Sequence, residues 1–176
     1  MLTEPLPTML DVRKAAVRGL GVSGVLKPLD LKRFRPLLAG DSGDILVHMV
    51  FSRDEEKRYL LRVTIEADIE VTCQRCLTVM PEHVSSSNTL AMLWTDEEAV
   101  HLPRHLEPLI VKESSYNLWE LVEDELILAL RPFSYHDPED CSMKIAVFSD
   151  PALPEEGEEK PNPFNVLAHL KPGNKH

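Results

Sequence analysis

From Tyr59 to Val71 the chain alternates. Leu61, Val63, Ile65, Ala67, Ile69 and Val71 are apolar, and between them stand Arg62, Thr64, Glu66, Asp68 and Glu70. A period of two puts each set on its own face of a strand, so one face meets a core and the other meets water, as in an antiparallel sheet. Ile45 to Phe51 predicts a neighbouring strand by its β-branched and aromatic content, joined to the first by the charged turn Arg53 to Lys57. Beyond Cys76, the run from Leu77 to Trp94 predicts one or two further strands, with Ser85-Ser86-Ser87-Asn88 as a weak interruption.

Between Asn117 and Leu130 the period changes. Leu118, Leu121, Val122, Leu126, Ala129 and Leu130 recur at three- and four-residue spacing, and Ser114, Ser115 or Asn117 can cap the helix they predict. Glu120, Glu123 and Asp124 are expected to look outward. Glu125 is not, because it falls seven residues after Leu118, inside the apolar arc. A buried carboxylate needs a partner, and Arg75 or Arg131 could supply one. The alternative is an acidic notch that recognises a basic partner.

The two ends read differently. The first twelve residues are interrupted by prolines and extended; Val12 to Leu20 predicts a short helix carrying Arg13, Lys14 and Arg18. A second short basic segment, Leu31 to Leu38, carries Lys32, Arg33 and Arg35 and is broken by Pro36. Residues 149–160 form an acidic, proline-containing linker whose composition predicts disorder. It leads to a short amphipathic helix in which Phe164 and Leu167 are candidates for docking, either back onto the fold or onto a partner. The expected architecture is α+β: a mostly antiparallel sheet, one long packed helix, short basic N-terminal helices, and a flexible acidic tail ending in a short helix. Residues 1–148 form the single domain of that expectation, and residues 149–176 the linker and helix.

Charge narrows the function. A net charge of −10 excludes a protein whose whole surface grips nucleic acid, because phosphate binding requires Lys and Arg to displace counterions. The distribution is uneven: residues 1–40 hold seven Lys/Arg against three Asp/Glu, and the rest hold twelve against 26. That asymmetry fits a basic N-terminal patch (Arg13, Lys14, Arg18, Lys32, Arg33, Arg35) facing acidic partners and an acidic body facing basic ones; a solvated surface with a chance imbalance is the alternative. No apolar run reaches the roughly eighteen residues that span a bilayer. The N-terminus lacks the basic-then-apolar order of a secretory signal. Three cysteines, an odd number, suit a reducing compartment, and a cytoplasmic protein is expected. There is no phosphate-cradling glycine loop, no H-E-x-x-H and no G-x-S-x-G, so neither catalysis nor a small-molecule substrate is expected.

Cys73-Gln74-Arg75-Cys76 holds the chemistry that remains. Cys73 keeps the parity of the strand's apolar face, while Cys76 lies past the break in a tight turn, an arrangement that caps a hairpin as zinc knuckles do. Two thiols cannot complete a tetrahedral site. His136 and Cys141, an H-x4-C about sixty residues downstream, are the candidates to close it around zinc. The other reading is three reduced cysteines, two of them packed as small apolar groups.

Four segments carry a resemblance: Cys73-Gln74-Arg75-Cys76-Leu77, Leu121 to Leu130, His136 to Cys141, and Lys160 to Leu167. In this order they resemble the YceD-type large ribosomal RNA subunit accumulation proteins of bacteria and plastids, and the opening Asp11-Val12-Arg13-Lys14-Ala15-Ala16 is similar to proteobacterial members. The resemblance implies a non-enzymatic factor for synthesis, processing or stability of large-subunit rRNA. Its expected partner is a basic ribosomal protein or rRNA-associated factor, with direct RNA contact open. The alternative is an adaptor whose C-terminal helix docks a nuclease, a polymerase or another protein. Many relatives are similar in carrying further cysteines after the helix; this chain keeps only Cys141 there, with His136 as the possible substitute ligand.

Overall fold

The computed structural model describes residues 4–143. Seven strands and three helices follow in the order β1 (Met9–Asp11), α1 (Val12–Arg18), β2 (Gly21–Leu26), β3 (Ile45–Arg53), β4 (Tyr59–Thr72), β5 (Val79–Leu93), α2 (Asp96–Ala99), β6 (Glu107–Ile110), β7 (Ser115–Asn117) and α3 (Leu118–Ala129). β2-β3-β4-β5-β6 form one sheet, antiparallel except for the β5–β6 pair, and β1 pairs with β7 beside it. The α+β architecture with its mostly antiparallel sheet is therefore as expected.

The alternating positions of β4 behave as the period requires. Leu61, Val63, Ile65, Ala67, Ile69 and Val71 are all buried, as are Val47, Met49 and Phe51 of β3. Val12, Ala15 and Ala16 of α1 and Leu118, Leu121, Val122 and Leu126 of α3 complete the same core. Each large apolar side chain removed from water there contributes about 1.5–3 kcal/mol. Asp11 caps α1 by accepting the Lys14 N–H at 3.0 Å, and Gly19 ends it at φ +62. Asn117 caps α3, accepting the Trp119 N–H at 3.0 Å.

Two expectations need correction, and one strand was not anticipated. β5 is a single fifteen-residue strand, paired with β4 without a break from Val79↔Thr72 to Met92↔Tyr59, so the serine run interrupts nothing. Residues 21–26, Gly-Val-Ser-Gly-Val-Leu, form a strand that its two glycines obscured. A Cβ on Gly24 would stand 2.5 Å from Leu6 Cα, so glycine is what lets the N-terminal segment cross β2 so closely. The basic segment Leu31 to Leu38 is not a helix of α type: it holds a 3-10 turn at Arg35–Leu37, and another precedes it at Pro28–Asp30. The linker and the Phe164–Leu167 segment lie outside the described residues. No helix among the described residues is long and apolar enough to cross a membrane.

Candidate metal centre

β4 delivers Cys73 at its end with its side chain fully buried. The chain then reverses: the Cys73 N–H donates to the Thr78 carbonyl, and the Leu77 N–H to the Cys73 carbonyl, both at 2.9 Å. Leu77 takes φ +61, a left-handed conformation that costs a non-glycine residue ~1–2 kcal/mol. That reversal turns Cys76 inward. From the far side, Pro132 stops α3 and the loop after it meets the knuckle, the Gln74 N–H donating to the Ser134 carbonyl at 2.9 Å. The Cys141 N–H donates to the Asp137 carbonyl at 3.1 Å, closing a turn that points Cys141 back at the same place.

One donor atom each from Cys73, Cys76, His136 and Cys141 lies within 4.8 Å of all the others. Cys76 Sγ is 3.3 Å from His136 Nδ1, which identifies the ring nitrogen that faces the thiols. Zinc bound at ~2.0–2.3 Å holds tetrahedral donors about 3.5 Å apart, so the four need only a small contraction to fit. Three thiols and an imidazole are the donor types zinc prefers, and all four positions are filled by protein, the closed pattern of a structural site.

The electrostatics agree with that fit. The Thr78 hydroxyl, 3.2 Å from Cys76 Sγ, and the Thr78 backbone N–H hold the Cys76 thiol down at about 5. Burial pushes Cys73 up, but the backbone N–H groups of Cys76, His136 and Arg75 outweigh it and leave that thiol at about 7. Cys141 is pushed up by burial and by the two neighbouring thiols. His136 is raised, first by its contact with Cys73 and then by Cys76. Two groups favour the anion and a third is penalised for joining them, a conflict that a divalent cation removes. Thr78 and Arg75, whose guanidinium lies 5.4 Å from the Tyr135 ring centre, support the knuckle. Spacing alone does not single out either.

The remaining candidates sit elsewhere. Glu125 is buried, as its position in the helix requires, but neither arginine reaches it: Ser86 Oγ donates to its Oε2 at 2.9 Å and Asn88 Nδ2 at 2.5 Å. Its partners come from the serine run of β5, which looked like an interruption and is instead a polar strip facing α3. Glu123, expected outside, is buried because Arg33 covers it, donating its backbone N–H (2.6 Å) and Nε (2.9 Å). Arg33 also donates to Asp124 and to the Glu120 carbonyl. Arg13 lies 4.3 Å from the Trp94 ring centre, Lys14 pairs with Asp11, and Arg35 pairs with Asp41 through two bonds. Arg18 and Lys32 make no ion pair among the described residues. Of the basic N-terminal patch, Arg13 and Arg33 thus hold the N-terminal segment to the body, while Lys14 and Arg35 pair within that segment.

Residues 61–171 match the family described as "Large ribosomal RNA subunit accumulation protein YceD". A protein of that description from Haemophilus influenzae is 32% identical over 167 residues, covering 94% of this chain and 96% of its own length. No solved structure matches the chain.

Proposed function

The chain belongs to the YceD family, and from that membership we propose that it is a binding factor, not an enzyme, needed for large-subunit ribosomal RNA to accumulate. The observation that carries this reading is the match itself, which runs from residue 61 in β4 through the knuckle, α3 and the post-helix loop, together with a relative named for that role. Cys73, Cys76, His136 and Cys141 would hold zinc. The metal would supply cross-linking, tying the β4–β5 hairpin to the loop after α3, and no chemistry on a substrate. Four of the six basic patch residues already have a partner within the chain, and the acidic body is the larger charged surface, which a basic ribosomal protein suits better than RNA does.

The test is the ratio of large- to small-subunit rRNA in cells lacking the protein, beside the same cells carrying it. A selective fall in the large rRNA, restored by the wild-type chain, is expected. An unchanged ratio would refute the proposal. Deleting residues 161–176 separates the adaptor alternative: rescue by the truncated chain assigns the role to the body.

A further inference from the structure

β5 has a free edge. Its last residues pair with β6, from Leu90↔Glu107 to Leu93↔Ile110, but from Val79 to Thr89 it pairs on the β4 side alone. The register tells which groups are left over. The Cys73 N–H to Thr78 carbonyl bond marks that pair as hydrogen-bonded, so in the same antiparallel register the even-numbered residues of β5 bond to β4 and the odd-numbered ones turn away. The Val111 N–H bond to the Leu93 carbonyl, on the opposite side, agrees. His83, Ser85 and Ser87 therefore point N–H and C=O outward with no neighbouring strand among the described residues, and Thr89 does the same with its N–H, its carbonyl facing Glu107 of β6.

Such edges are normally blunted by proline, charge or a bulge. Pro81 does so at one end, at an odd position where its missing N–H costs no bond to β4. Ser85 to Thr89 has no proline, no charge and no bulge. Beside this stretch, on its inner side, lies Glu125, buried, bonded through Oε2 only to the neutral Ser86 and Asn88, and without a cation among the described residues. At the Pro81 end the edge opens into a cavity of about 360 Å3 lined by Glu82, Asp137 and Asp140, with Arg131 near Glu82 at 3.5 Å. Glu66 and Asp68 flank it on the outer face, bridged by His83, and Arg62 is the other nearby cation.

We propose that the His83–Thr89 edge of β5 is a docking site for an extended basic segment of a partner protein, which adds to the sheet as a strand and sets a Lys or Arg at the Glu125 notch. Main-chain bonds to His83, Ser85 and Ser87, and to the Thr89 N–H, give affinity, and the carboxylates on both faces select for positive charge. An added strand of about seven residues, ~23 Å long, covers the stretch. RNA is disfavoured because the same carboxylates repel phosphate. A second copy is disfavoured because edge-to-edge pairing sets acidic edge against acidic edge.

This rests on the reading of a basic protein partner, and the two fail separately. A lowered large-rRNA ratio in cells lacking the protein, with no peptide binding, would keep that reading and remove the edge. The probe is a labelled octapeptide alternating arginine and threonine, titrated into the full-length chain by fluorescence anisotropy. Controls are the same peptide N-methylated at alternate amides and a glutamate-for-arginine version. N-methylation, and Ser85→Pro with Ser87→Pro, should each weaken binding about tenfold or more through lost main-chain bonds; Glu125→Gln should weaken it a few-fold. If the proline variants unfold, the N-methylated peptide still decides, since it leaves the protein untouched. Binding within about twofold for the parent and N-methylated peptides would overturn strand addition, because charge alone would then suffice. No binding of the parent peptide would also overturn it. So would a dimer of the full chain that the prolines dissolve, or a gain of binding on deleting residues 144–176, since either names another occupant of the edge.

Discussion

Replacing Arg33 by alanine tests whether the basic N-terminal segment serves the fold. Glu123 keeps 8% of its side chain exposed and receives two bonds from Arg33, one from the backbone N–H and one from Nε. The substitution removes the Nε bond and the only cation paired with Glu123 among the described residues, leaving a buried carboxylate with a single N–H. Breaking a fully buried pair costs ~3–5 kcal/mol. The Arg33 side chain is 49% exposed, and solvent screening reduces that figure, to about 2 kcal/mol. Loss of the bonds to Asp124 and the Glu120 carbonyl adds ~0.5 kcal/mol. At roughly 2–4 °C per kcal/mol for a domain of this size, the melting temperature should fall about 5–10 °C. Urea denaturation should return the same loss with an unchanged slope. Arg33→Lys should recover less than half, since an ammonium cannot reproduce the fork. In a double-mutant cycle with Glu123→Gln, the two changes should couple by about 1 kcal/mol or more. A loss under ~0.5 kcal/mol, additive with Glu123→Gln, would refute the reasoning and free Arg33 for a partner.

Other sites give further expectations. Phe34→Ala removes a fully buried ring and should destabilise by ~3–5 kcal/mol in denaturant titration. Gly43 sits at φ +107 with the Asp68 carbonyl where a Cβ would go, so Gly43→Ala should melt well below wild type, by more than ~2 kcal/mol, through strain at the β3 entry. His83 is raised from its ordinary 6.5, first by its bond with Asp68 and then by the charges of Asp68 and Glu66. Its stabilising contribution is complete below about 6.5 and fades as pH climbs through the raised value. The melting-temperature gap between wild type and His83→Gln should therefore be wider at pH 6 than at pH 8.5; an equal gap would contradict the pairing.

The parts of the fold that were legible in sequence are those where one local rule acts alone. β4 shows a strict period of two and α3 a capped period of three and four, and both appear within a residue of expectation. The grouping of Cys73, Cys76, His136 and Cys141 was legible because the chain has only three cysteines and His136 stands five residues before the third. β2 was hidden in part by Gly24, which the close approach of Leu6 requires, a long-range demand that leaves no local pattern. Glu123 was misplaced because its cover, Arg33, lies 90 residues away. Glu125 was rightly placed inside but given the wrong partners, since an arginine is the obvious answer to a buried carboxylate while a serine and an asparagine on a facing strand are visible only through the β4–β5 register.

The zinc content of the purified full-length chain decides whether Cys73, Cys76, His136 and Cys141 form a metal centre. Elemental analysis should find one zinc per chain, lost on Cys76→Ser, with the loop after α3 becoming open to protease while the β-sheet signal persists. A folded wild-type chain that carries no zinc and takes none up from a zinc-containing buffer would contradict it, and would leave Cys73 and Cys141 as buried thiols of the core.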